Sequence, residues 1–251
     1  MANIIEVKNL TKKYKDLTAV NGITFSVEEG EIFGILGPNG AGKTTTLEMI
    51  EGLKTPTSGS ITLAGLDVEK DTDAVKSVIG VQLQASTFFE GLNLVELIDT
   101  FAAMYGREAD AMKLLEEVQL TDKAKAQVKE LSGGQKQRLS IAVGLVNDPK
   151  VLFLDEPTTG LDPQARRHLW DLVTAIKKKG TTVVITTHYM DEAEVLCDRT
   201  AIMDAGKIIA LDSPRKLVDN LLGTGFSKKI IQQEANLEDV FLNLTGHALR
   251  E

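Results

Sequence analysis

The feature that most constrains this chain of 251 residues is a glycine-rich segment, residues 37–44. It reads Gly-Pro-Asn-Gly-Ala-Gly-Lys-Thr, which matches the spacing G-x-x-x-x-G-K-T of a phosphate-binding loop. A strand-like run, residues 32–36, precedes it, and a helix-like run, residues 45–50, follows it. Glycines let backbone N–H groups turn toward a phosphate, and a helix N-terminus adds partial positive charge. The segment therefore predicts a site for a triphosphate.

Two side chains at the end of this loop carry chemistry. Lys43 is expected to reach the β- and γ-phosphates of the bound molecule, and the Thr44 hydroxyl is expected to ligate Mg²⁺. The residues predicted here to bind the nucleotide are Gly37, Pro38, Asn39, Gly40, Ala41, Gly42, Lys43, Thr44 and Thr45.

Composition narrows the class of protein. Hydrophobic residues make up 43% of the chain and charged residues 25%, as in an ordinary globular protein. The formal net charge of −8 provides no broad basic face, so no nucleic-acid partner is expected. The single cysteine, Cys197, fits a reducing compartment. Because the sequence has neither a signal peptide nor an apolar run long enough for a bilayer, the isolated chain is expected to be cytosolic.

The segment before the loop alternates between apolar and polar residues. Such alternation over residues 5–27 predicts antiparallel strands. Tyr14 lies in a turn of this predicted sheet. Its ring either stacks on a purine base or covers the surface of the sheet, and its sequence context alone favours neither.

Helices and strands alternate after the loop. Apolar residues at three-and-four spacing from residue 92 to 118 predict helices whose apolar stripes, Met104 and Met112 included, face the core. Runs rich in apolar residues at 151–154 and 182–187 predict strands buried on both faces of a sheet. Together these patterns predict an α/β fold with a mostly parallel, doubly wound sheet.

Three polar side chains follow the ends of these buried strands. Asp155 and Glu156 follow one strand, and His188 follows the next. Open α/β sheets bind ligands at the carboxyl ends of their strands. Asp155 is suited to Mg²⁺ and Glu156 to polarising an attacking water. For His188, this position leaves a structural and a functional role equally open.

A further glycine-containing segment, residues 131–135, reads Leu-Ser-Gly-Gly-Gln and stands directly before a predicted helix. Ser132, Gly133 and Gly134 offer a hydroxyl and N–H groups to an anion. Taken alone, this segment is better explained as a helix cap.

In this order and spacing, the segments resemble the ATP-binding cassette of ABC transporters, over about residues 3–215. The segment 131–135 matches the family's signature, which other phosphate-loop enzymes lack. Asp162 matches the D-loop aspartate of the family, His188 its switch histidine and Tyr14 the aromatic residue that stacks on adenine.

The resemblance implies an architecture. It has a P-loop NTPase (RecA-like) core with a mostly parallel sheet, an N-terminal antiparallel β subdomain and an inserted α-helical subdomain. Residues 1–215 would form the ATPase domain, with the helical subdomain at about 85–135, and residues 216–251 would form a C-terminal extension.

The resemblance also implies roles in ATP hydrolysis with Mg²⁺. Glu156 would be the general base, and Lys43, His188 and Gln84 would be the other catalytic residues. Mg²⁺ would be held by Thr44, Gln84 and Asp155. Gln82 is the alternative to Gln84, since both residues would project from the same face of the preceding strand.

Partners follow from the same resemblance. Two chains would form a homodimer in the ATP-bound state, in which the signature and D-loop of one chain complete the site of the other. The residues assigned to this role are Ser132, Gly133, Gly134, Gln135 and Asp162. Separate transmembrane permease subunits would hold the chain peripherally at the cytoplasmic face of the membrane. Phe88 and Phe89 are expected to contact them, with core packing as the alternative.

The expected direction of transport is inferred from the C-terminal tail. Residues 237–242, Leu-Glu-Asp-Val-Phe-Leu, are similar to the ends of cassettes from bacterial drug- and polysaccharide-type exporters, so export is expected. The ATPase of an ABC importer is one alternative. A soluble ABC-class ATPase acting on ribosomes or DNA is the alternative from another class, and the acidic charge balance disfavours it.

Overall fold

The computed structural model of the chain describes residues 2–82, 88–89 and 91–226. The strands are β1 (Asn3–Tyr14), β2 (Leu17–Glu28), β3 (Ile32–Leu36), β4 (Ser58–Leu63), β5 (Leu66–Asp67), β6 (Ile79–Val81), β7 (Val151–Asp155), β8 (Thr182–Thr187), β9 (Arg199–Asp204) and β10 (Lys207–Asp212). The helices are α1 (Lys43–Ile50), α2 (Thr72–Val78), α3 (Leu94–Met104), α4 (Ala111–Glu117), α5 (Gly133–Gly144), α6 (Pro163–Lys178), α7 (Met190–Leu196) and α8 (Pro214–Gly223).

The contacts of the chain divide it into two units, Met1–Leu217 and Val218–Glu251. The first unit contains both sheets and every site described below. Of the second unit, the structure describes residues 218–226. In the described part of the chain, each helix is too short or too polar to cross a membrane.

A six-stranded sheet forms the centre of the first unit. Its strand order is β10-β9-β3-β8-β7-β6, and every neighbouring pair is parallel except β10 with β9. This arrangement confirms the predicted α/β fold with a mostly parallel sheet. Because β8 lies between β3 and β7, the residues that follow these three strands meet at one edge of the sheet.

The central strands are apolar on both faces, as the continuous runs predicted. Successive side chains of a strand point to opposite faces. Accordingly, Leu152 and Leu154 of β7 enter one buried hydrophobic cluster, while Val151 and Phe153 enter the other. All four are fully buried. The sheet is therefore held between two cores, which fixes its edge as a rigid base for polar residues.

A second sheet, with strand order β2-β1-β4-β5, lies in the same unit and is antiparallel. The prediction of antiparallel strands before the loop is confirmed for β1 and β2. The sheet also contains β4 and β5, which follow α1 in the chain. Leu47, Met49 and Ile50 of α1 share one buried cluster with Val7 of β1 and Phe153 of β7, so α1 packs between the two sheets.

The predicted helices between residues 92 and 118 form as α3 and α4. The Asn93 side chain accepts from the N–H group of Glu96, and the Glu96 side chain accepts from that of Asn93, so a capping box starts α3. The prediction that the apolar stripes face the core is wrong for two residues. Met104, 62% exposed, ends α3, and Met112, 46% exposed, lies in the first turn of α4. At these positions the helices lead away from the core.

The fold buries one of the two phenylalanines that were expected to contact a membrane partner and leaves the other exposed. Phe88 is 6% exposed and belongs to the buried cluster that contains Leu152 and Leu154. The expectation that it lies on a contact surface is therefore wrong. Phe89 is 47% exposed, and its ring centroid lies 6.0 Å from that of Phe101. Only Phe89 of the pair offers its ring to a partner.

Helix α5 and strand β6 touch through glycine. A Cβ added to Gly80 would lie 2.0 Å from the carbonyl oxygen of Gly144. Such a distance excludes every side chain, so Gly80 permits a contact that no other residue allows.

Candidate functional site

Three of the predicted site residues meet at the carboxyl edge of the central sheet. Gly37 follows β3, Glu156 follows β7, and His188 follows β8, which lies between them. The pairing of Leu36 with Thr187 and the hydrogen bond from Gly37 N to Thr187 O, 3.2 Å, bring the loop beside His188. The sheet topology thus assembles residues that are far apart in the sequence.

Two glycines of the loop are required by the space around them. A Cβ on Gly37 would lie 2.1 Å from the carbonyl oxygen of Met203, and one on Gly42 would lie 2.4 Å from that of Ala19. Gly42 also has a φ of 103°, which disfavours other residues. The side chain of Ala41 is buried, so this residue offers the site only its backbone. The loop therefore presents main-chain groups to a ligand.

Lys43 lies under the loop with 5% of its surface exposed. Its ammonium donates to the carbonyl oxygens of Gly37, at 2.9 Å, and Pro38, at 3.1 Å. The same Nζ lies 3.1 Å from Glu156 Oε1. A buried ammonium with this set of partners provides a fixed positive charge inside the turn of the loop.

Glu156 is held in a left-handed backbone conformation, with a φ of 47°. Its second oxygen, Oε2, lies 3.2 Å from His188 Nδ1 and accepts from Thr159 Oγ1 at 3.3 Å. Burial raises the pKa of Glu156, but Lys43 and then His188 lower it by more, so the pKa lies below its ordinary value of 4.5. A positive-φ glutamate with two basic neighbours is typical of a functional site.

Oxygen atoms suited to Mg²⁺ lie beside the loop. Thr44 Oγ1 lies 3.3 Å from Asp155 Oδ1. Adjacent ligands of an octahedral Mg²⁺ are about 3 Å apart, since each lies about 2.1 Å from the ion. The Thr186 hydroxyl donates to Asp155 Oδ1 and accepts from the N–H group of Glu156. The sequence interpretation missed Thr186, whose position opposite Asp155 is set by strand register.

A pocket at the loop is lined by nucleotide-site candidates and by two residues that the sequence interpretation missed. The lining comprises Tyr14, Leu17, Ala19, Asn39, Gly40, Gly42, Lys43, Thr44, Thr45 and Glu156. Leu17 is 65% exposed, which leaves its side chain available to an apolar ring. The ammonium groups of Lys12 and Lys54 lie 5.3 and 5.8 Å from the centroid of the Tyr14 ring. The Tyr14 ring therefore lies beside two positively charged side chains.

The signature residues line a different concavity. It is formed by Ser132, Gly134, Gln135, Arg138, Asp162, Gln164, Ala165 and His168. Ser132 and Gln135 form a capping box at the start of α5, and the Asp162 side chain caps α6 by accepting from Ala165 N at 2.8 Å. Within one chain, these residues do not share the pocket of Lys43.

The predicted Mg²⁺ residue Gln84 lies outside the described residues. The alternative, Gln82, is buried, and its N–H group donates to Phe153 O at 3.0 Å. Among the described residues, no three His, Cys, Asp or Glu side chains are grouped to hold a metal ion. Among the described residues, Thr44 and Asp155 are therefore the candidates to hold a metal at the loop.

Comparison with known protein families and curated proteins gives a consistent result. Residues 20–159 match the family described as ABC transporter. A Nod factor export ATP-binding protein I from Burkholderia orbicola (strain AU 1054) is 38% identical, covering 98% of each chain. A protein of the same name from Rhizobium meliloti (strain 1021) is 37% identical, covering 98% of this chain and 89% of its own length.

Solved structures agree in fold. CbiO1 from Clostridium perfringens, described as part of an ABC transporter complex, has a TM-score of 0.79 and 30% identity, covering 87% of this chain and 92% of its own. A bacterial ABC transporter cassette solved as a dimer has a TM-score of 0.75 and 28% identity, covering 84% of this chain and 99% of its own.

Proposed function

The chain belongs to the ABC transporter family, and we propose that it is the ATP-hydrolysing subunit of an exporter whose transmembrane subunits are separate chains. The observation that carries the proposal is the cluster at the sheet edge, where Glu156 lies 3.1 Å from Lys43 Nζ and 3.2 Å from His188 Nδ1. This cluster joins a phosphate-binding ammonium to a carboxylate base and to a group that stabilises charge.

ATP binds in the pocket of the loop. The N–H groups of the loop and of the first turn of α1 donate to the phosphates, and Lys43 neutralises the β- and γ-phosphates. Tyr14 stacks on the adenine ring, with Leu17 as an additional apolar contact. Mg²⁺, held by Thr44, Asp155 and Gln84, would neutralise charge on the phosphates.

Glu156 is the general base that takes a proton from the attacking water. In this structure Lys43 is its partner and lowers its pKa. When Lys43 turns toward the phosphates of ATP, this partner leaves the carboxylate, and the pKa of Glu156 rises. His188 then contacts the γ-phosphate and stabilises the charge that develops during transfer. Binding of ATP thus prepares the base for the reaction.

The active form is a homodimer in which each chain completes the site of the other. Ser132, Gly133 and Gly134 of one chain donate to the γ-phosphate bound by the partner, with Gln135 and Asp162 at the same boundary. The separation of these residues from the pocket of Lys43 within one chain supports this arrangement. The dimeric structure of the similar cassette supports it as well.

Export is supported by the names of the relatives, which are ATP-binding proteins for export of Nod factors. The partners are transmembrane permease subunits, and the chain acts as a peripheral subunit at the cytoplasmic face of the membrane. Phe89, exposed beside α3, belongs to the surface that contacts them. Closure of the ATP-bound dimer would move the permease between its two states.

Purification of the tagged full chain from membranes of its source tests this proposal. We expect an integral membrane protein to co-purify, ATP turnover to require Mg²⁺, and Phe89→Ala to release the membrane protein. Phe226→Ala is the matched control, since Phe226 is 50% exposed and belongs to the other unit of the chain. Recovery with ribosomes or DNA, and without a membrane protein, would contradict the transporter assignment.

A further inference from the structure

A buried carboxylate lies behind the proposed catalytic residues. Glu192, on α7 one helical turn after His188, has 0% of its surface exposed. Burying a carboxylate is costly unless nearby groups compensate it. An apolar side chain would fill this position at lower cost, so the contacts of the Glu192 carboxylate call for an explanation.

One of these contacts comes from α6. The indole Nε1 of Trp170 donates to Glu192 Oε1 at 3.1 Å. Trp170 is half-buried, and Glu192 is fully buried, so this hydrogen bond ends inside the protein. The pair joins α6, which starts at the D-loop, to α7, which follows His188.

Two threonine hydroxyls also influence the pKa of this carboxylate. Burial raises the pKa of Glu192, and Thr187, Trp170 and Thr158 oppose that rise. Glu192 Oε2 and Thr158 Oγ1 are both buried, and neither reaches hydrogen-bonding geometry within the described part of the chain.

These threonines flank the two catalytic positions. Thr158 follows Glu156 and Pro157, and Thr187 directly precedes His188. Thr187 Oγ1 also accepts from the N–H group of Tyr189 at 3.0 Å, which closes the backbone turn around His188. Thr187 therefore links the end of β8 to the turn that carries His188.

A second contact ties α6 to the same segment. Arg166, one turn before Trp170, lies with its guanidinium carbon 4.6 Å from the centroid of the Tyr189 ring. Its Nη1 lies 3.3 Å from Asp191 Oδ2. Because Arg166 and Trp170 are spaced i and i+4, one face of α6 makes both contacts. Helix α6 and the segment that follows His188 are therefore joined at two points, by Arg166 and by Trp170.

We propose that Glu192 is a positioning residue for ATP hydrolysis, which holds the segment that carries His188 against α6 through its hydrogen bond with Trp170. This inference rests on the proposed function, since it assigns a role to Glu192 only if Glu156 and His188 act on ATP. It predicts that Glu192 affects the rate of the reaction more than the binding of its substrate.

The test compares Glu192→Ala with Glu194→Ala, an exposed glutamate on the same helix. For Glu192→Ala we expect kcat to fall at least about tenfold while KM for Mg-ATP changes less than about twofold, because misplacement of catalytic groups reduces the rate of the chemical step. Glu194→Ala should leave both constants unchanged. Glu192→Gln, which keeps an acceptor for Trp170, should restore kcat to within about threefold of the wild type.

Trp170→Phe serves if Glu192→Ala does not fold. It leaves the carboxylate in place and removes only the indole donor, and we expect kcat to fall about threefold with KM unchanged. A kcat within about twofold of the wild type for both Trp170→Phe and a folded Glu192→Ala would overturn the proposal. So would a loss of activity that matches a loss of folded protein, measured by thermal unfolding.

Glu156→Gln separates this inference from the proposed function. If that variant loses turnover while the Glu192 and Trp170 variants keep it, the positioning role alone is refuted. If Glu156→Gln hydrolyses ATP at the wild-type rate, the assignment of the base fails, and with it the basis of the inference.

Discussion

The helix N-termini of α1 and α5 both present N–H groups to an anion, but their caps differ. At α1, the N-cap is Gly42, and no side chain caps the helix. At α5, Ser132 and Gln135 form a capping box that satisfies N–H groups from within the chain. The first N–H groups of a helix have no intrahelical partner. The N-terminus of α1 is therefore left for an external anion, whereas that of α5 is already capped.

This difference suggests an order of events. The N-terminus of α1, called the loop end below, is uncapped and lies beside the buried Lys43 and the pocket at the loop. It is therefore able to bind ATP in a single chain. The N-terminus of α5, the signature end, retains its own cap, and under the proposed function it would add donors only when a phosphate on another chain approaches. ATP binding would then precede dimer closure, and changes at the two ends should affect different steps.

The largest expected effect comes from the loop end. Glu156→Gln should reduce ATP turnover by about 1,000-fold, because it removes the general base. The same change should stabilise an ATP-bound dimer, visible by size-exclusion chromatography with Mg-ATP. Glu29→Gln, an exposed and distant control, should leave turnover unchanged. Wild-type turnover in Glu156→Gln would show that another group accepts the proton.

At the signature end, Ser132→Arg should reduce turnover by about 100-fold, because it blocks closure and removes a donor to the γ-phosphate. Affinity of the single chain for ATP should stay within about twofold of the wild type, since Ser132 lies outside the loop pocket. Equilibrium binding of a fluorescent ATP analogue measures it. Ser132→Thr, which keeps the capping oxygen and hydroxyl, is the control. Lost binding in Ser132→Arg would contradict a role in trans.

A smaller effect is expected at the adenine side of the loop end. Tyr14→Ala should weaken ATP binding about fivefold to tenfold, because stacking on a base contributes about 1–3 kcal/mol and Leu17 keeps part of the apolar contact. Tyr14→Trp should retain the affinity. Calorimetry with ATP and with triphosphate lacking the base resolves the cause. Equal loss for both ligands would mean that Tyr14 does not stack on adenine.

The last expected effect is on stability rather than activity, and it concerns a carboxylate at the far end of α1. Burial, followed by the charges of Asp155 and Glu48, raises the pKa of Glu51 to about 8. The folded chain therefore binds an extra proton between about pH 4.5, where the unfolded glutamate ionises, and about pH 8. Its contribution to stability is fully present below this window and is lost as the pH rises through it.

Glu51→Gln removes this penalty, because the amide carries no proton to lose. At pH 8 we expect the variant to be more stable by about 4 kcal/mol, or about 8–16 °C in Tm. The gain should disappear near pH 5. Thermal unfolding across this pH range measures it, with Glu29→Gln as the exposed control. A gain that does not depend on pH would show that Glu51 is ionised in the folded chain.

Much of the loop end was predictable from the sequence, because its parts are local or follow from strand order. The spacing of the phosphate loop and the apolar runs before Glu156 and His188 were sufficient to predict that these residues meet. The contact of Lys43 with Glu156 was not predictable, since it depends on the path of two side chains between neighbouring strands. Thr186 was missed because only strand register brings it opposite Asp155.

The exposure of individual apolar side chains was less predictable. Phe88 and Phe89 are adjacent and chemically identical, yet one is core and the other is exposed. No helix or strand period predicts which of the two is buried, because neither lies in a helix or strand. Met104 and Met112 fit an apolar period, but the period does not indicate where a helix leaves the core. Glu192 has no sequence signal, since its role depends on Trp170 of another helix.

The glycine contact between α5 and β6 has a mechanical consequence. Because the backbone of Gly80 lies directly against that of Gly144, there is no side-chain layer between helix and strand that would deform under load. The joint is stiff. We therefore expect a displacement of β6 to move α5 with it, because no side chain stands between the two backbones to change rotamer. Even Gly80→Ala would open this joint, so the two segments would then respond to force separately.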